Sequence, residues 1–269
     1  MSTGTLAPSG SRFGTGAAAA LALAYLALGL AYTWPLALHL RDGLPFAAVP
    51  PAGRETPALV QGDYLQFYYY LWLVRDRVAA GASFLHDPYQ FAVDGPRSNL
   101  PNTFLPTALL YLPLAVADPR LGYNLLVLLS FPGAGLATAL LARRYGVPRG
   151  AAAVAGVVFA CAPYRVGALL GGHPAGLSYP LAPLALWGLE GALAGSWAGG
   201  AWCGAALLAV ALMEPHFFYF AALGLPLYLV ARVGLAGWDW GALRVGVGRG
   251  VIALGLAGAA AGGTVRALA

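Results

Sequence analysis

The chain contains no lysine. All fifteen basic side chains are arginine, ten side chains are acidic, and charged residues make up only 9% of 269 positions. An ordinary soluble domain carries about 25% charge, so the composition argues against one. Cysteine is nearly absent too. Cys161 and Cys203 both lie in apolar runs, which excludes a disulfide framework and a CxxC site. No basic cluster suits nucleic acid, and a net charge of +5 implies only weak attraction to anionic headgroups. Glycine (37) and proline (20) punctuate the apolar runs without a collagen-like period.

Apolar residues are abundant, at 59%. At roughly 20 residues per span, the length accommodates about seven membrane helices with their loops. The composition therefore predicts an all-α polytopic membrane protein, one transmembrane domain over 1–269.

Residues 1–16 are small and polar apart from Arg12, and 17–40 carry no charge. That run is longer than the apolar core of about 7 to 15 residues in a signal peptide, so an uncleaved first helix is expected. The excess of arginine on the inner side would place the N-terminus in the cytoplasm of a cell inner membrane protein. Residues 41–117 then form an outer loop. Its 41–102 portion holds eleven of the 25 ionised side chains and many turn formers. The segment 64–80 is aromatic and periodic but too short and charged to span, which suits an interfacial helix.

Further apolar runs cover 103–117, 121–142, 151–162, 174–189, 198–213, 216–230 and 245–265. Prolines 106 and 113 suit the first of these to a half-inserted helix. The helical bundle is expected over 121–265. Arg143, Arg144 and Arg149 mark an inner turn, and Pro215 favours a break between 198–213 and 216–230. The last run ends at Ala269. Either the protein stops at that helix, or the chain is the front part of a longer polypeptide.

Asp63 is the first candidate for chemistry. With Gln66 three positions on, it has the spacing of a capping box, and a carboxylate there could also act as a base or bind a cation. Asp87 and Asp94, with His86 adjacent, offer ligands for a divalent metal, with Asp63 as a further candidate ligand beside Asp87, although Asp-, Pro- and Gly-rich turns are usually only turns. His39 and Asp42 are expected at the membrane interface. Glu214 and His216 flank Pro215, either as a buried functional pair or as a loop tip. Arg165 could grip a phosphate or snorkel, and His173 lies in the next turn. Glu190 is expected to face water.

The strings Gly62-Asp63-Tyr64-Leu65-Gln66, Trp72 and Phe84-Leu85-His86-Asp87-Pro88 come first in the chain. They are followed by Leu121-Gly122-Tyr123-Asn124, Ala142-Arg143-Arg144 and Ala162-Pro163-Tyr164-Arg165. With the His173 turn, Pro180 and Pro183, their order resembles the N-terminal part of bacterial polytopic glycosyltransferases of the GT-C type, across about 17–232.

The resemblance implies sugar transfer from a polyprenyl-phosphate donor to a lipid, glycan or protein acceptor outside the membrane. Asp63 would be catalytic, and membrane lipids would be partners. Arg165 or Arg97 would hold the leaving phosphate, and Tyr68, Trp72 and neighbouring aromatics would position the donor. A catalytic cluster would bring Asp63, Asp87, His173 and Glu214 to one cavity. The alternatives are a transporter or flippase, and a non-catalytic or truncated membrane subunit.

Overall fold

A computed structural model of the chain describes residues 13–45, 48–49, 58–59, 64–90, 97–98, 104–173, 175–236 and Gly248. The first apolar run forms α1 (Thr15–Tyr32), followed by a 3-10 turn at Leu36–Leu38. Two antiparallel ribbons flank α2 (Tyr64–Ala79): β1 (Ala48–Val49) with β2 (Ala58–Leu59), and β3 (His86–Asp87) with β4 (Arg97–Ser98). Asp87 lies opposite Arg97 in the second register. Then come α3 (Leu105–Leu114), α4 (Pro119–Arg144), α5 (Arg149–Ala160), α6 (Pro163–Leu170) and the single turn α7 (Ala175–Ser178). The series ends with α8 (Leu181–Leu193), α9 (Trp197–Met213) and α10 (Pro215–Ala236).

Local chemistry sets many of these boundaries. Asp118 accepts from the Leu121 N–H at 2.8 Å, and Pro119 occupies the first turn of α4, where a missing N–H costs little. Arg143 and Arg144 occupy its last turn, where the helix dipole favours cations. Gly146, at φ 80°, then redirects the chain into α5.

Helix α4 lies centrally, against α1, α3, α5 and α8. Phe67, Leu71 and Val74 of α2 pack with Tyr111, Tyr123 and Phe131 in the main core. Among the described elements, α8 and α9 are the most closely packed pair. A Cβ on Gly199 would sit 2.6 Å from the Ala192 nitrogen, and one on Gly188 would sit 2.6 Å from that of Cys203. Only hydrogen at these positions lets the two backbones approach so closely.

Among the described residues, α1 and α4 are the helices long and apolar enough to cross a membrane, with a third span if α5 and α6 count as one bent unit. This corrects the seven-span GT-C-like architecture, and with it the multi-pass inner-membrane placement with a cytoplasmic N-terminus. Apolar composition did not mean continuous helix. The 103–117 run yields ten helical residues, 151–170 bends by 42° ahead of Pro163, and 174–189 divides into α7 and α8. Short apolar segments bury themselves against one another as readily as they span. The 245–265 run lies outside the described residues. Helix α2 is where the periodicity placed it, but Phe67, Leu71, Leu73 and Val74 are buried in the protein core instead of lying on an interface. Pro215 does separate two helices.

Candidate functional site

Glu214 joins α9 to α10. Its N–H bonds the Val210 carbonyl at 2.8 Å, and its own carbonyl accepts from Phe218 N at 3.1 Å. Its carboxylate caps the new helix, Oε1 accepting from His216 N at 3.3 Å, in a position favoured by the helix dipole. The same oxygen lies 2.9 Å from His216 Nδ1. Oε2 faces His173 Nδ1 at 3.5 Å. Glu214 is buried, at 4% exposure, while the His216 side chain is 85% exposed.

This arrangement sets the proton positions. A carboxylate beside Nδ1 holds the His216 proton there and leaves Nε2 with a lone pair directed outward. His173 Nδ1 instead accepts from Ala175 N at 3.2 Å, so the neutral ring carries its proton on Nε2 and can donate it. One carboxylate thus stands between a potential base and a potential hydrogen-bond donor. The same segments meet a second time in an aromatic contact. Tyr179, just after α7, stacks on Phe217 at 5.4 Å between centroids and 10° between planes. Tyr164 and Phe159 extend the ring cluster at 5.9 and 5.8 Å from Tyr179.

The other sequence candidates are placed elsewhere or fall outside the described residues. Asp63 and Asp94 lie outside them. Arg97 is described only as backbone of β4. Asp87 is buried, and both its oxygens accept from the Tyr69 hydroxyl at 2.9 Å. Oδ1 also accepts from Tyr89 N at 2.9 Å and Gln90 N at 3.1 Å. That carboxylate is committed to its turn. Burial and the Asp87 bond together push the Tyr69 phenol above its ordinary range. Trp72 lies tilted between Tyr69 and Tyr89, and Tyr68 meets Tyr123 edge-on at 5.7 Å.

No hydrogen bond or ion pair among the described residues links Asp87 to Glu214. Nor do the described residues contain a group of three or more His, Cys, Asp or Glu able to hold a metal ion. Of the four residues expected to converge, Glu214 lies beside His173, and His216 joins them; Asp63 lies outside the described residues.

Arg165 is fully buried instead of open to a phosphate. Nη1 donates to the Ala160 carbonyl and Nη2 to the Ser130 hydroxyl, both at 2.6 Å, and the guanidinium lies 4.6 Å from the Phe131 ring centre. It clamps the α5–α6 bend to α4. Nε has no hydrogen-bond partner among the described residues. Tyr179 and Phe217 were not found by sequence reasoning, because a stacked pair 38 positions apart leaves no local pattern.

No family model, no curated protein and no solved structure matches this chain. The resemblance to GT-C glycosyltransferases is corrected accordingly. The polyprenyl-phosphate donor and the membrane-lipid partners, which rested on it, are withdrawn with it. The strings that carried the resemblance have jobs inside this fold. Asn124 binds the carbonyls of Leu40 and Gly43, Asp87 secures a turn, Arg144 lies 5.2 Å over Trp187, and Arg165 clamps a bend.

Proposed function

We propose that the chain catalyses glycosyl transfer from an activated sugar to an acceptor hydroxyl, with His216 as general base. The observation that carries this reading is the 2.9 Å contact between buried Glu214 Oε1 and His216 Nδ1, which leaves Nε2 outward as a proton acceptor. The acceptor proton passes to Nε2 while the acceptor oxygen bonds to the anomeric carbon. The bond to the leaving group breaks with its electron pair, the diphosphate departs as its anion, and His173 Nε2–H donates a hydrogen bond to the departing oxygen. Glu214 stabilises the imidazolium that forms. Such positioned proton transfer contributes about 10²- to 10⁴-fold in rate. The nearby Tyr179 and Tyr164 rings support a sugar substrate, whose C–H face packs against aromatic surfaces.

The test is product formation by the purified chain from nucleoside-diphosphate sugars and free oligosaccharide acceptors, followed by mass spectrometry. Transfer that falls about 10²-fold or more in His216→Gln supports the proposal. No product from any donor, or an unchanged rate in the variant, refutes it.

A further inference from the structure

A cleft of about 330 Å³ opens beside the end of α1, lined among others by Tyr32, Trp34, Pro35, His39, Leu44 and Leu170. No residue of the Glu214 site lines it. The turn that carries His39 and Gly43 is held from α4. Asn124 of α4 donates Nδ2 to the carbonyls of Leu40 and Gly43, each at 2.9 Å, which fixes the turn after the 3-10 segment. Gly43 N closes that turn on the His39 carbonyl at 2.8 Å. A Cβ at Gly43 would come 2.9 Å from His39 Cβ, so glycine sets the position of the imidazole.

His39 supplies the polar edge. Its Nδ1 lies 3.2 Å from Asp42 Oδ2, so the carboxylate holds the proton at Nδ1 and Nε2 is left to accept. The hydrogen bond to His39 is the main cause that holds the Asp42 carboxyl below its usual range. Thr33 also lines the cleft, but its hydroxyl is committed to the Gly29 carbonyl at 2.8 Å. Two aromatic rings, two prolines and three leucines make up most of the remaining wall.

A charged ligand would meet no opposite charge in this lining. A hydrocarbon would gain nothing from Nε2, which the half-exposed His39 side chain would leave to water. We propose that the cleft binds a small neutral aromatic alcohol, its ring packed on Trp34 and its hydroxyl donating to His39 Nε2. The cleft is of the size of small-molecule sites, and its lining combines apolar rings and leucines with polar groups, the His39 imidazole among them.

The test compares p-cresol with toluene, which lacks the hydroxyl, by NMR titration of the full chain. The native protein should bind p-cresol about fivefold or more tightly, the worth of one hydrogen bond. His39→Leu should bring the two affinities together, and Leu170→Trp should fill the cleft and abolish both. Equal affinities in the native chain, unchanged binding in Leu170→Trp, or a hydroxyl preference that survives in His39→Leu would each overturn the proposal. If Leu170→Trp does not fold, the His39→Leu comparison decides alone.

Discussion

Arg232 grips Glu190 with two nitrogens, Nε at 2.9 Å from Oε1 and Nη2 at 3.3 Å from Oε2, and so fastens α10 to α8. Tyr228, one turn earlier, donates to the same carboxylate, and the Tyr145 hydroxyl after α4 bonds that of Tyr228. Glu190 is therefore 7% exposed, not facing water as the sequence suggested. The attachment matters because the outer face of α10 leaves Tyr219, Phe220, Leu223, Leu227 and Val230 exposed.

Glu190→Ala strands Arg232 and Tyr228 together. Breaking a buried pair by removing one partner costs about 3 to 5 kcal/mol, and partial exposure of Arg232 puts this case near the lower bound. A Glu190→Leu/Arg232→Leu double variant should recover most of the loss, because no charge is left unpaired. Urea unfolding of the three proteins checks the order; a double variant as unstable as Glu190→Ala would contradict it.

Alkaline pH should weaken the fold through Tyr69. Its phenol is raised above 10.0 in the folded state, by burial first and the Asp87 bond second. The unfolded phenol therefore ionises first. The stabilisation is complete below pH 10 and declines as pH rises towards the folded value. Tyr69→Phe should flatten this alkaline decline and, by leaving Asp87 short of a donor, cost about 1 to 3 kcal/mol at neutral pH. Stability measured across neutral and alkaline pH in both proteins tests both effects.

Asp63→Asn and His216→Gln separate two possible bases. Asparagine caps a helix about as well as aspartate, so the first variant should fold normally. With His216 as the base, Asp63→Asn keeps turnover within about threefold while His216→Gln loses about 10²-fold or more. The reverse pattern in initial rates, normalised to folded protein, would transfer the role to Asp63.

Gly199→Ala should destabilise the chain by about 1 to 3 kcal/mol through overpacking, since the added methyl meets backbone instead of a movable side chain. Gly150→Ala is the control, with nothing within 4 Å of the new methyl. Thermal unfolding should separate the pair clearly, and equal midpoints would show that α8 and α9 are not so closely apposed.

Arg165→Ala should be costly, about 3 to 5 kcal/mol, as it opens a cavity and leaves the Ala160 carbonyl without its guanidinium donor. Arg165→Met keeps much of the volume and removes a buried cation, so it should lose less. Chemical denaturation that ranks methionine below alanine would count against the clamp.

Several boundaries were readable from the chain alone because their causes are local. Arg143-Arg144 closes α4, and the apolar run 121–142 sits inside the observed helix, whose Asp118-Pro119 start the run itself did not mark. Pro215 divides α9 from α10 through its fixed φ and missing N–H. The periodicity of 64–80 likewise fixed α2. Each of these signals acts within about one helical turn, through hydrogen bonding and backbone sterics.

What those helices would touch was decided only by tertiary packing. An apolar run has the same composition whether its face meets solvent, lipid or another helix, so counting runs gave too many spans. Arg165 and Glu190 both looked surface-bound in sequence, yet one is enclosed by α4, α5 and α6 and the other by α8 and α10. Glu214 and His216 were visible as neighbours, whereas the approach of His173 and the Tyr179–Phe217 stack came from folding the α7 turn onto the start of α10. Such pairings depend on shape and burial between distant segments, and local propensity carries no record of them.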